Sequence, residues 1–109
     1  MRSSIKDSLP PRLGRSLAKL GQDIRDARRK RHLTVEMMVE RTGVSKATYL
    51  KVEKGDPSVS MGTYATVLFI LGMSERLADV ADSRHDSIGR ELDEERLPQR
   101  IRLPRQGAK

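Results

Sequence analysis

The chain is 109 residues long, with 36% hydrophobic and 34% charged residues, two tyrosines, one phenylalanine and no cysteine. That length holds one domain and no second sizeable core. The lack of cysteine excludes disulfides and cysteine-based zinc sites, and His32 and His85 alone are too few for a histidine metal centre, so no cofactor is expected.

The net charge of +7 is unevenly spread. Residues 1–31 carry ten Lys/Arg against three acids, residues 32–83 five against seven, and residues 84–109 seven against five. A basic N-terminal third points to a polyanionic partner, although the same charge on a solvated face would also serve solubility. The longest apolar run, Ala65 to Leu71, falls far short of the about 20 residues that span a bilayer. Lys6 and Asp7 before Pro10-Pro11 do not form the apolar stretch of a signal peptide. The expectation is a soluble, cytoplasmic protein with no membrane partner.

In chain order, residues 1–11, with Ser3, Ser4, Ser8 and Pro10-Pro11, read as a flexible leader. From Arg12, Leu13, Leu17, Leu20, Ile24 and Ala27 recur at spacings of three and four, which predicts a helix to about Arg31. Its end, Arg28 to Arg31, places cations where a helix C-terminus favours them. Gly14 and Gly21 leave open whether this is one helix or two. Thr34 is the expected N-cap of a second helix that starts at Val35 and stops at Gly43. Glu36 in its first turn suits the helix dipole. Ser45 caps a third helix, Lys46 to Lys54, ended by Gly55, and Asp56-Pro57-Ser58 is a turn. Ser60 caps a fourth helix, Met61 to Leu71, ended by Gly72. Ser74 caps a fifth, Glu75 to about Ala81. Asp86 to Arg96 is expected to form a short C-terminal helix, amphipathic through Ile88 and Leu92. Pro98, Pro104 and Gly107 keep Leu97 to Lys109 extended, and Arg100 to Leu103 alternates like a short strand. The expected fold is therefore all-α: a leader over 1–11, a five-helix domain over 12–83, and a short C-terminal helix with a polar tail over 84–109.

Function concentrates between Thr34 and Gly55. Two short helices meet at the tight turn Thr42-Gly43-Val44-Ser45, where Gly43 supplies a left-handed backbone. This is helix-turn-helix geometry, in which the second helix enters the DNA major groove N-terminus first. On that helix Tyr49 and Val52 should face the core, while Lys46, Ala47, Leu50 and Lys51 fall largely on other faces, and Lys54 shares part of one. A lysine at a base edge donates to guanine O6 and N7, and an alanine methyl can touch the thymine methyl. Thr34, Ser45 and Thr48 have the size to bond phosphates. The expected DNA-binding residues are thus Thr34, Ser45, Lys46, Ala47, Thr48, Lys51 and Lys54. Each lysine taken singly could be an ordinary solvated one; the turn is what sets them apart.

The residues Ile24-Arg25, Arg28, Leu33-Thr34, Gly43 to Thr48 and Val52 to Gly55 resemble the Xre/Cro-type helix-turn-helix family over about residues 20–75. The resemblance implies a lambda-repressor-like fold and an ion pair between an arginine late in the first helix and the glutamate ending the recognition helix, here Arg28 and Glu53. Val35 departs from the family's usual glutamine, so base contacts do not transfer directly. Ala47-Thr48, the compact single-domain build and the tail motifs Leu97-Pro98 and Arg102-Leu103-Pro104 are similar to HipB-like antitoxins. That implies a repressor that autoregulates its operon and holds a HipA-like toxin kinase. A stand-alone phage-type repressor and a HigA-like antitoxin share the scaffold.

The fourth helix is apolar on nearly every side through Tyr64, Ala65, Val67, Leu68, Phe69, Ile70 and Leu71, which calls for burial on more than one face. A second copy is the simplest partner, through Phe69 and Ile70 and, on the fifth helix, Leu77 and Val80. A two-fold dimer would read a palindromic duplex operator. A monomer whose C-terminal helix and tail cover the patch remains open, as does a protein-interaction adaptor with no operator. An enzyme is not expected. The acidic cluster Glu91, Asp93, Glu94 and Glu95 reads as a solvated helix face, and no nucleophile triad, phosphate-cradling loop or zinc spacing is present.

Overall fold

The computed structural model describes residues 8–95. Five α-helices lie wholly within them: α1 (Pro11–Lys30), α2 (Val35–Thr42), α3 (Lys46–Glu53), α4 (Met61–Ile70) and α5 (Ser87–Glu95). Two 3-10 helices, Glu75–Asp79 and Ser83–His85, stand between α4 and α5, and there is no strand among the described residues. The chain divides into two compact units, within residues 8–75 and 76–95. The boundary falls after Glu75, inside the stretch 12–83 that the sequence suggested as one domain. The strand-like Arg100–Leu103, the tail motifs and most of the leader lie outside the described residues.

In the first unit the helix starts follow one chemistry. The side chains of Thr34, Ser45 and Ser60 accept from the backbone N–H of Met37 (3.0 Å), Thr48 (3.1 Å) and Thr63 (3.1 Å). Each cap satisfies an orphan donor of the first turn and contributes about 1 kcal/mol. α1 instead begins on Pro11 at its first position, where no N–H is needed. It runs unbroken for 20 residues, so Gly14 and Gly21 do not divide it.

Helix ends repeat a second pattern. After α1, α3 and α4 a residue with positive φ closes the helix: His32 (56°), Gly55 (72°) and Gly72 (78°). The next N–H reaches back to the helix, Leu33 N to Arg28 O (3.2 Å), Asp56 N to Lys51 O (3.0 Å) and Met73 N to Leu68 O (2.8 Å). These are Schellman closures, and the α1 closure is made by a histidine rather than a glycine.

The core is one cluster: Ile24 and Ala27 of α1, Met38 of α2, Tyr49 and Val52 of α3, and Tyr64, Val67, Leu68 and Leu71 at α4. Met38, Tyr49, Val52 and Val67 are wholly buried. Tyr64 keeps its hydroxyl satisfied by donating to Asp56 O at 2.7 Å, which pins the turn before α4. Burial pushes the Tyr64 phenol up to about 12.

The fifth expected helix differs from the α-helical reading of Glu75 to about Ala81. The segment Glu75–Asp79 is a 3-10 helix, and none of its residues is buried. A short helix draws most of its stability from packing an apolar face, and here no face is packed, so only tighter i→i+3 turns form. In the second unit α5 is capped by Asp86, whose Oδ1 accepts from Gly89 N at 2.8 Å. Its apolar residues Ile88 and Leu92 are both exposed.

Candidate nucleic-acid interface

The turn between α2 and α3 is built from three residues. Thr42 Oγ1 donates to Met38 O at 2.7 Å and so ends α2 on itself. Gly43 takes φ 76°, a left-handed value that costs other residues about 1–2 kcal/mol. A Cβ at Gly43 would meet nothing within 4 Å, so only its backbone angle favours glycine there. Val44 packs against the core, and Ser45 then starts α3.

Tyr49 and Val52 hold α3 from behind, both fully buried. Lys46, Ala47, Leu50, Lys51 and Lys54 are exposed on its other faces. Thr48 is half-buried, and its Oγ1 accepts from Ser45 Oγ at 3.0 Å. The Ser45 proton is thus directed at Thr48, while the Thr48 proton can go to an outside acceptor. Thr34 is exposed at the start of α2.

Arg28 and Glu53 are brought together across α1 and α3. Arg28 Nε donates to Glu53 Oε2 at 2.6 Å and Nη2 to Oε1 at 3.3 Å, a two-pronged contact with side chains only 12% and 8% exposed. Arg28 Nη1 also donates to Leu33 O at 2.9 Å, which ties the α1–α2 link to the same guanidinium. The hydrogen bond to Glu53 leads the effects that hold the Arg28 guanidinium even more firmly protonated than usual. Tyr49, one turn before Glu53, donates its hydroxyl to Glu53 Oε2. Burial first, and then that carboxylate, push the Tyr49 phenol well above its ordinary range. α3 is therefore fastened by a part-buried triad at one end and a capped turn at the other.

The sequence reading missed two features here. Lys46 Nζ lies 3.2 Å from Glu36 Oε2, an open ion pair between the first turns of α3 and α2. The Glu36 backbone N–H and then Lys46 hold the Glu36 carboxyl below its ordinary value. The sequence alone ties Glu36 only to the helix dipole; its partner sits ten positions on and meets it only once the turn folds back. The Tyr49–Glu53 bond was legible in principle as an i, i+4 pair. An open groove of about 570 Å³ runs beside α3, lined by Ala18, Gln22, Arg25 and Arg28 of α1, by Val35 of α2, and by Leu50, Glu53 and Lys54.

Of the residues expected at a dimer contact, Phe69 is 68% exposed, whereas Ile70 is half-buried against the core. Leu77 and Val80 are exposed in the second unit. Among the described residues no group of acids and histidines could hold a metal, and no helix is long and apolar enough to cross a membrane.

A capped turn closed by a left-handed glycine, followed by a short helix anchored from behind and cationic in front, defines a helix-turn-helix protein of the DNA-binding kind. The helix-turn-helix domain family model matches residues 19–81, more than half of the chain, and the chain belongs to that family. No curated protein and no solved structure matches it.

Proposed function

We propose that the chain is a sequence-specific transcriptional repressor that acts in the cytoplasm on a double-stranded DNA operator. The observation that carries this reading is the face of α3. Three lysines and an exposed Ala47 stand outward from a helix whose other side is locked by Tyr49, Val52 and Glu53. In this reading Lys46, Ala47 and Lys51 meet base edges. Lys54 and the hydroxyls of Thr34 and Thr48 meet phosphates, and Ser45 acts by fixing Thr48 and the first turn of α3. The Glu36 contact steers Lys46 and is exposed enough to yield to a guanine.

The repressor acts as a homodimer on a palindromic operator. Support comes from α4, where the large apolar side chains of Met61 and Phe69 stand 79% and 68% exposed. A second copy that covers these side chains would pair two α3 helices across a two-fold axis, and such a pair would read inverted half-sites. Within that reading the protein is the antitoxin of a HipA-like toxin kinase and represses its own operon, on the strength of the Ala47-Thr48 and tail resemblance.

The test is selection of bound duplexes from a random library, followed by anisotropy titrations at several salt concentrations. A defined, inverted-repeat site with affinity falling steeply as salt rises is expected. Lys46→Ala and Lys51→Ala each lower affinity for that site about tenfold or more while leaving the fold intact. Equal binding to all duplexes, or no effect of either substitution, overturns the repressor reading. Sedimentation reads the dimer, and co-purification of a kinase-like partner reads the antitoxin role.

A further inference from the structure

Leu50 is the one large apolar side chain on the outward side of α3. It is 39% exposed, with Lys46 one turn before it and Lys54 one turn after. Ala47, also exposed, is its i−3 neighbour and lies on the same side of the helix. The core needs neither residue, since Tyr49 and Val52 supply the packing face. A leucine among lysines is poorly suited to a solvated or phosphate-facing surface. It is well suited to a major groove, where the only apolar feature on a base edge is the 5-methyl group of thymine. The lysines on either side bring the polyanion to it, and Val35 and Ala18 continue the apolar surface into the adjoining groove.

We propose that Leu50, together with Ala47, reads pyrimidine 5-methyl groups, so that each operator half-site carries thymines at one or two adjacent positions beside base pairs contacted by Lys46 and Lys51. The inference rests on the repressor reading above. Spacing supports adjacency. Three residues of helix advance about 4.5 Å, close to the about 3.4 Å rise between base pairs of one strand. Leu50 then sets specificity without a hydrogen bond, and a helix carrying a polar residue there would select a different base pair.

The experiment uses the full chain and the duplex enriched from a random library. Each dT of that duplex is replaced in turn by dU, which removes the methyl group and leaves every hydrogen-bonding atom unchanged. At one or two positions per half-site the dissociation constant should rise about fourfold, the weight of one buried methyl group. In Leu50→Ala and Leu50→Gln that penalty should shrink to less than twofold at one of these positions. Both variants should fold as wild type, because Leu50 is not part of the core. An enriched duplex that shows no dU penalty anywhere overturns the inference and leaves the repressor reading standing. A penalty that persists unchanged in both Leu50 variants assigns the methyl contact elsewhere and also overturns it. Failure to enrich any duplex overturns the repressor reading and this inference with it.

Discussion

Replacing Gly21 by alanine sets helix propensity against packing within one methyl group. Gly21 lies in the interior of α1, where alanine would favour the helix by about 1 kcal/mol. An added Cβ, however, would lie 2.4 Å from Gly55 N, 2.7 Å from Glu53 O and 2.8 Å from Val52 O. All three are backbone atoms at the end of α3, so no side chain can rotate away. Relief requires α1 and α3 to part by about 1 Å to reach ordinary van der Waals separation. The reverse face is equally close, since a Cβ on Gly55 would sit 2.0 Å from Leu17 O. Parting the helices loosens Ile24 from Tyr49 and Val52 and stretches the Arg28–Glu53 contact. Over-packing of this kind costs about 1–3 kcal/mol, and with rigid backbone on both sides the upper end applies. The net expectation is a loss of about 2 kcal/mol, or about 8–16 °C in Tm for a domain of this size. Urea and thermal unfolding followed by circular dichroism, at one fixed protein concentration, measure it. Gly14→Ala in the same helix is the control, because its Cβ would meet only Leu9 Cδ2 at 3.8 Å. That substitution should stabilise by about 0.5–1 kcal/mol. A Gly21→Ala protein as stable as wild type would refute the close-approach argument.

Three further outcomes are expected. His32→Gly should raise the urea midpoint by the equivalent of about 0.5–1 kcal/mol, because His32 holds φ 56° at the α1 closure; an unchanged or lower midpoint contradicts this. Arg28→Met should cost about 3 kcal/mol, the low end for breaking a buried pair, by leaving the part-buried Glu53 carboxylate with only Tyr49. The double change Arg28→Met/Glu53→Met should recover part of the loss, and a double variant less stable than Arg28→Met removes the electrostatic explanation. The phenols of Tyr49 and Tyr64 are both raised on folding, Tyr64 from 10.0 to about 12. Both contributions are complete below pH 10; that of Tyr64 fades as pH climbs through 12 and that of Tyr49 persists to higher pH, because the unfolded chain releases those protons first. Tyr64→Phe should flatten part of that decline, and a wild-type stability curve level from pH 10 to 12 would show the phenols to be unperturbed.

The local signals in the sequence translated directly into structure wherever a single residue carries the physics. Thr34, Ser45 and Ser60 are caps because a short side-chain oxygen reaches an N–H three residues on, and Gly43, Gly55 and Gly72 end helices because they tolerate positive φ. The buried face of α3 was equally legible from the spacing of Tyr49 and Val52. The 3-10 helix at Glu75–Asp79 was not, because capping and composition there match an α-helix and only the missing packed face separates the two.

What the sequence by itself determined, then, is the run of helices, their caps and the helix-turn-helix with its outward lysines, all consequences of spacings shorter than two helical turns. The tertiary structure decided what depends on distant segments meeting. It alone turns Gly21, a weak spot in a helical pattern, into the point where α1 touches the backbone of α3. It alone pairs Glu36 with Lys46 and sets Leu50 at the edge of a groove between helices. Helix propensity is local, whereas close approach and charge pairing exist only once the chain has folded back on itself.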